Sequence, residues 1–310
     1  VRTLLIGVAG LALLAWLALL WTAPHMRQAS AARVPVAGGD AGGMARVAPL
    51  QEHIDAAALD RATHDAAAAG LQAFIVLRHG YIVYQRFGQG YDAGTVIDSG
   101  DFAQVLVALA AGIAGNDNTL ALQSLNGFDA DRVRDAIEAG TGQRYAQFLS
   151  LRLWRRLNAA DAWIELAQPG AEAPAACCFH ARAVDWLRVG ALLLDDGRFE
   201  GKAVVPPGWV QRMRHPVSAS GTQGFGIDLP PAAHGREPFA TEQAFFLRGP
   251  ERWRLWLMPT LGLGVLFGAG AGASAGWDET RLPNLVIRAI SDPAPAPGRG
   301  SQLQQLVPGH

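Results

Sequence analysis

Cysteine is nearly missing from this chain of 310 residues: two occur, side by side, as Cys177-Cys178. Adjacent cysteines close only a strained ring, which excludes a disulfide framework and leaves two small packing residues as the expectation. Neither they nor the eight scattered histidines show metal-ligand spacing such as H-E-x-x-H, so no metal and no cofactor is called for. Lysine occurs once, as Lys202, and 26 basic against 27 acidic side chains leave a net charge of −1 without a basic cluster. That balance excludes nucleic acid as the expected partner. No internal repeat is visible, and no tyrosine lies between Tyr91 and Tyr145.

Apolar residues are plentiful. They make up 50% of the chain against 17% charged, a composition that suits one globular domain with a large core and not a disordered protein. The stretch "VRTLLIGVAGLALLAWLALLW" holds an apolar run at residues 4–21. About 18 such residues suffice to cross a hydrocarbon core as a helix, so residues 1–22 are expected to anchor the chain in an inner membrane with its body outside the cytoplasm. A cleaved signal peptide is the competing reading, with Ala29-Ser30-Ala31 as a cut site, but that site lies far beyond the apolar run. Residues 23–50 are small, Gly/Ala/Pro-rich and aperiodic, and are expected to form a flexible linker. The folded domain is placed at 51–291, followed by a disordered Pro/Gly tail at 292–310.

Within the domain, "IDAAALDRATHDAAAAG" predicts a helix closed by Gly70, and "QAFIVLR-HG-YIVYQRF" predicts a tight hairpin. "DSGDFAQVLVALAAGIAG" predicts a turn running into a buried helix. Helical patterns recur at 129–140, 144–157 and 181–195. "GFGIDL", "AFFLR", "WRLWLM" and "LGLGVLF" read as consecutive antiparallel strands, and "LPNLVIRAI" as a last helix. The order predicts an α+β fold: an antiparallel β-sheet flanked by N- and C-terminal helices.

Three phrases carry a resemblance. They are "AFIVLRHGYIVYQRFGQGYDAGTVIDSG", "TGQRYAQFLSLRLWRRLNAADAWIEL" with its TG-x-x-Y-x-x-F pattern, and the most specific, "CCFHARAVDWLRVGALLLDDGRFEGKAVVPPGWV". Over roughly residues 52–290 the chain resembles the serine β-lactamase/DD-peptidase superfamily, in its esterase and 6-aminohexanoate-dimer hydrolase-like branch. The resemblance implies an S-x-x-K pair opening a helix, a Tyr motif and an H-x-G motif on a strand. Residues i and i+3 share a helix face, which lets the amine of such a pair reach the hydroxyl. In this chain the two positions fall on Asp101 and Gln104, the Tyr motif on Leu125-Asn126-Gly127, and the third motif on Pro250-Glu251-Arg252 followed by Trp253. None of the three motifs survives. The short distance from Asp101 to Leu125 also implies a much reduced helical subdomain.

The resemblance therefore implies a dismantled active site, and with it a tethered pseudoenzyme that binds a small molecule or an envelope protein. Asp101, Gln104, Glu251, Arg252 and Trp253 are the binding candidates. If Arg252 approaches Asp101, an ion pair fills the old pocket. Asp101 with Gln104 three residues on also reads as a capping box. The alternative is an active amide or ester hydrolase with a non-standard nucleophile: Asp101, Ser99, or Ser274 in the G-x-S-x-G of "GAGAGASAGWDE". His79 is expected to be solvated in its turn, His180 to pack or cap, and Arg182 with Asp185 to be structural. Trp253 and Trp256 are expected on opposite sides of a sheet.

Overall fold

The computed structural model describes residues 32–68, 70–116, 128–230, 238–270, 278 and 280–291. Helix α1 (Ala56–Ala68) precedes the hairpin of β2 (Leu71–Arg78) and β3 (Tyr81–Phe87), with β1 (Arg33–Val36) before all three. The hairpin turns at His79-Gly80, both with positive φ, the geometry that matches the right-handed twist of paired strands. His79 is not simply solvated: its Nδ1 lies 2.6 Å from a Glu52 carboxylate oxygen. Short β4 (Val96–Asp98) leads into α2 (Ala103–Asn116), followed by α3 (Ala130–Thr141) and α4 (Tyr145–Leu149). The helical pattern at 144–157 is continuous in space but changes pitch, widening over Ser150–Trp154 and tightening over Arg155–Leu157. Next come β5 (Ala162–Glu165), β6 (Phe179–Arg182), α5 (Ala183–Leu194), the small hairpin β7 (Arg198–Phe199) and β8 (Lys202–Ala203), and α6 (Trp209–Met213). The meander β9 (Phe245–Arg248), β10 (Arg254–Met258) and β11 (Leu263–Ala269) and helix α7 (Arg281–Arg288) complete the order.

The main sheet runs β3-β2-β11-β10-β9, antiparallel throughout. Alternation along β2 sends Phe74 and Val76 to one face and Ala73, Ile75 and Leu77 to the other. The first face is covered by Leu59 and Ala62 of α1 with Leu282 and Val286 of α7; the second meets α2 and α5. A sheet covered on both sides needs apolar residues at every position, which is why "AFIVL" is unbroken. Trp253 joins the α2/α5 core and Trp256 the α1/α7 core, on opposite faces as their odd spacing requires. Helix α2 is apolar around its whole circumference and buried from Val105 to Ile113. The fold is α+β, as the element order implied.

Three expectations change. The linker assigned to residues 23–50 is folded from residue 32: β1 pairs with β5, Val34 opposite Ile164, and Val36 is fully buried. Strand β1 is the edge of a second sheet, β1-β5-β6-β4, where Pro35 is tolerated, so "RVPV" lacks an interior strand's signature. Residues 23–31 lie outside the described residues. The strand expected in "GFGIDL" is a tight loop with single bridges from Asp228 to Gln223 and to Phe246. Its two glycines weaken a strand and favour the turn. Cys177 and Cys178 are joined by a disulfide, not left as free packing residues.

Among the described residues no helix is long and apolar enough to cross a membrane. The apolar run at 4–21 and the tail at 292–310 lie outside them.

Candidate functional site at the mouth of helix α2

The chain enters α2 through Ser99 and a single tight turn, Gly100–Phe102. Ser99 is fully buried and committed to backbone: its N–H donates to Phe179 O at 2.8 Å. Its Oγ accepts the Phe179 N–H at 3.1 Å and donates to Gly100 O at 3.0 Å. With its proton held by the Gly100 carbonyl, this hydroxyl fastens β4 to β6. Gly100 has φ 48°, and a Cβ there would stand 2.7 Å from the Pro250 nitrogen, so the turn after β9 rests directly on the helix entrance.

Asp101 stands exposed on that turn and accepts the Gln104 amide N–H at 3.2 Å. The capping box is therefore not formed. A capping residue must be extended, whereas the chain is already in helical conformation at Ser99, and the Gly100 N–H is taken by the Asp98 carboxylate at 3.1 Å. Asp101 and Gln104 do share a face, as i and i+3 must, and that face looks into a cavity of about 300 Å³.

The other walls come from elsewhere. Edge strand β9 contributes Leu247 and Arg248, the loop at 223–228 contributes Ile227 and Asp228, and Phe128 closes one side. Gly226, at φ 72°, lets that loop lie on the first turn of α2: a Cβ there would be 2.6 Å from the Ala108 Cβ and 2.7 Å from Gln104 O. Arg248 donates to Asp228 at 2.8 Å. Burial pushes the Asp228 carboxyl up from the usual carboxylate range. Arg248 and the more distant Arg254 oppose the rise, and the neighbouring charge of Asp101 adds to it.

This arrangement corrects the sequence reading in part. Asp101 and Gln104 line the cavity, but Glu251, Arg252 and Trp253 do not. Strand β9 ends at Arg248, so residues 250–252 form the turn beyond it, and the register chosen for the third motif runs past the strand edge that faces α2. Trp253 is buried, its indole N–H donating to the Gln72 side-chain Oε1 at 2.9 Å, and the Glu251 carboxylate lies toward Gly270. The ion pair in the cavity is Arg248 with Asp228, not Arg252 with Asp101. Asp228 and Arg248 were missed, although each is a lone charge ending an apolar run, "GFGID" and "AFFLR". Leu125 and Ser274 lie outside the described residues.

Away from the cavity, Arg182 and Asp185 are structural as expected, two bonds of 2.8 and 3.0 Å fastening the start of α5. His180 packs flat on Trp163, with ring centroids 5.1 Å apart, and meets Glu165 at 3.2 Å.

No family model matches the chain. The 6-aminohexanoate-dimer hydrolase of Paenarthrobacter ureafaciens is 30% identical over 165 residues, which is 51% of this chain and 36% of the relative. The chain thus aligns with little more than a third of that relative's length. Among solved structures, the protein provisionally named 6-aminohexanoate-dimer hydrolase from Bacillus anthracis superposes with a TM-score of 0.63 at 15% identity, covering 83% of this chain and 89% of that one. A penicillin-binding protein homologue from Caulobacter crescentus gives 0.60 at 13% identity, over 80% of this chain and 100% of the other. The likeness to these structures shows the fold: the chain is folded like the β-lactamase and penicillin-binding-protein relatives it superposes on. The chain sets a five-stranded antiparallel sheet between two helical layers, and the cavity lies where edge strand β9 meets α2.

The raised Asp228 carboxyl predicts a pH dependence. The folded chain holds that proton more tightly than the unfolded chain does. Its contribution to stability is therefore fully present below the unfolded carboxylate value and is lost as pH rises through the higher folded value. Urea unfolding of the wild type and of Asp228→Asn, from about pH 3 to about pH 7, should show the wild type losing ground to the variant as pH rises. A difference that is flat, or that grows with pH, contradicts the assignment.

Proposed function

We propose that this chain is a non-hydrolytic member of the superfamily that binds a small polar ligand at the mouth of α2. One observation carries the reading: none of the described residues lining the cavity has a hydroxyl, thiol, amine or imidazole. Acyl transfer by a serine and a lysine needs an alcohol to attack and an amine to take its proton. Asp101 and Gln104, at the two helix positions where the resemblance sets that pair, supply a carboxylate and an amide that cannot relay a proton between them. The apolar run at 4–21 supports a placement on the outer side of an inner membrane, where a small envelope metabolite or an envelope protein would be the ligand.

A second reading has one observation in its favour. Asp228 keeps its proton more readily than an ordinary carboxyl and feels the charge of Asp101, so the two could serve as acid and nucleophile in an unconventional hydrolase. One experiment separates them. The full chain is incubated with a fluorescent penicillin, an activated ester and a serine-directed phosphonate, with intact-mass analysis and rates compared with Asp101→Ala. The expected result is no adduct and no hydrolysis above that of the variant. A covalent adduct, or turnover that Asp101→Ala removes, overturns the non-hydrolytic reading.

A further inference from the structure

We propose that Cys177–Cys178 is a thiol–disulfide exchange site, reduced by small dithiols, whose redox state sets how firmly the entrance to α2 is held. The pair is the whole cysteine content of the chain and forms a disulfide between neighbours in sequence. Both residues are partly exposed, so they lie at the surface of the fold and not in its core. They end the connection between β5 and β6, and the chain on either side of them is pinned. Upstream, α3 holds the connection: Arg134 donates to Ala173 O at 2.9 Å, and Asp131 accepts the Ala175 N–H at 3.0 Å. Downstream, Cys178 O accepts the Glu165 N–H at 2.9 Å, and the Phe179 N–H is the donor that reaches Ser99 Oγ. The disulfide thus lies one residue before the bond that fastens the turn into α2 to β6.

Between these pins the Cys178 backbone is left-handed, φ 68°. A residue with a Cβ seldom holds that conformation, because the Cβ crowds the following carbonyl oxygen. The ring closed by the two sulfurs ties the Cys178 side chain to the residue before it and so helps to hold the backbone there. Opening the ring leaves the unfavourable conformation to the hydrogen bonds alone. The upstream pins are backed by ion pairs of Arg134 with Asp131, Asp135 and Glu172, whereas the downstream ones are single neutral bonds. Relaxation of Cys178 therefore falls on the Glu165 and Ser99 contacts. The exchange itself favours a dithiol. One thiolate attacks a sulfur of the pair, breaking the S–S bond and forming a mixed disulfide. A monothiol held this way is expelled by the freed neighbour, one residue away. A dithiol's second thiolate instead attacks its own sulfur in the mixed disulfide and leaves as a cyclic disulfide. Two electrons pass from the dithiol to the pair, and the two protons it gives up end on the Cys177 and Cys178 sulfurs.

The test uses the purified full chain, in which this pair supplies the only thiols. Iodoacetamide should label neither cysteine before reduction, both after dithiothreitol, and neither after glutathione at equal thiol concentration. On reduction, hydrogen exchange at the Ser99, Glu165 and Phe179 amides should quicken by about fivefold or more, the weight of one left-handed residue, while the β11 amides stay unchanged. In a Cys177→Ser background, Cys178→Ser should show the fast exchange with or without dithiothreitol. Cys178→Gly in the same background also lacks the ring but accepts a left-handed backbone, and should exchange more slowly than the serine variant by about threefold or more. Labelling of the unreduced chain, or reduction by glutathione as complete as that by dithiothreitol, would overturn the proposal. So would unchanged exchange at the three amides after reduction, exchange that quickens as much at β11, or serine and glycine variants that exchange alike. None of these outcomes depends on whether the cavity hydrolyses an ester.

Discussion

Asp185→Ala is expected to destabilise the fold by about 3–5 kcal/mol, the range for removing one partner of a buried charge network. Asp185 is 1% exposed and lies between two guanidinium groups. Arg182 donates to both its oxygens, at 2.8 and 3.0 Å, and Arg188 Nε stands 3.2 Å from one of them. Burial pulls the Arg188 guanidinium below its ordinary value, and Asp185 is the main group opposing that pull. Without the carboxylate, Arg188 remains charged in the core with backbone carbonyls alone as partners: Leu157 O at 3.0 Å, and Gly42 O. Those two carbonyls tie α5 to the end of the helical layer and to the amino-terminal segment. Loss of Asp185 should therefore speed hydrogen exchange around β1 more than at β11. Denaturant unfolding of Asp185→Ala beside Asp185→Asn checks the magnitude, since the amide keeps part of the geometry and should cost less. A loss under about 1 kcal/mol for the alanine variant would show that the network is not needed.

Trp186→Ala is expected to cost a similar amount, about 3–5 kcal/mol, through the cavity left behind. The Trp186 side chain is fully buried, and its ring meets Phe102 at 5.2 Å, Phe179 at 5.8 Å and Trp154 at 6.2 Å between centroids. Those partners belong to the entrance of α2, to β6 and to the helical turn after α4. Trp186 therefore holds together the elements that aim Asp101 and Gln104. Phe102 directly follows Asp101 in the chain, and Phe179 carries the backbone groups that bind Ser99. The variant should lose stability and also order at the helix entrance, seen as loss of near-ultraviolet circular dichroism. A small change in stability with unaltered aromatic signals would mean that the four rings pack independently.

Most elements of this fold were legible because their apolar periods were local. The β2–β3 hairpin is marked by alternating β-branched and aromatic residues around His79-Gly80, and α2 by a run without a polar stripe. Strand β1 was not legible. Four residues containing a proline, in a Gly/Ala-rich setting, carry too little pattern to distinguish an edge strand from a tether, and only the pairing with β5 makes them one. The 224–229 segment failed for the opposite reason: its pattern suggested a strand, but Gly226 is needed to let the loop settle on α2. The disulfide between Cys177 and Cys178 was dismissed on ring strain, an argument that does not see the left-handed backbone at Cys178, φ 68°.

The amino-acid order by itself determined most of the helices and strands, and that Asp101 and Gln104 stand together at the mouth of α2, because residues three apart in a helical turn are neighbours whatever surrounds them. Only the tertiary structure decided what they face. Arg248 and Asp228 arrive from an edge strand and a loop far along the chain, and the candidates at Glu251, Arg252 and Trp253 are carried past the cavity by the turn that ends β9. The physical reason is range. Backbone hydrogen bonding and side-chain period act over a few residues, whereas the charge of a cavity is a sum over groups that only packing brings within a few ångströms of one another.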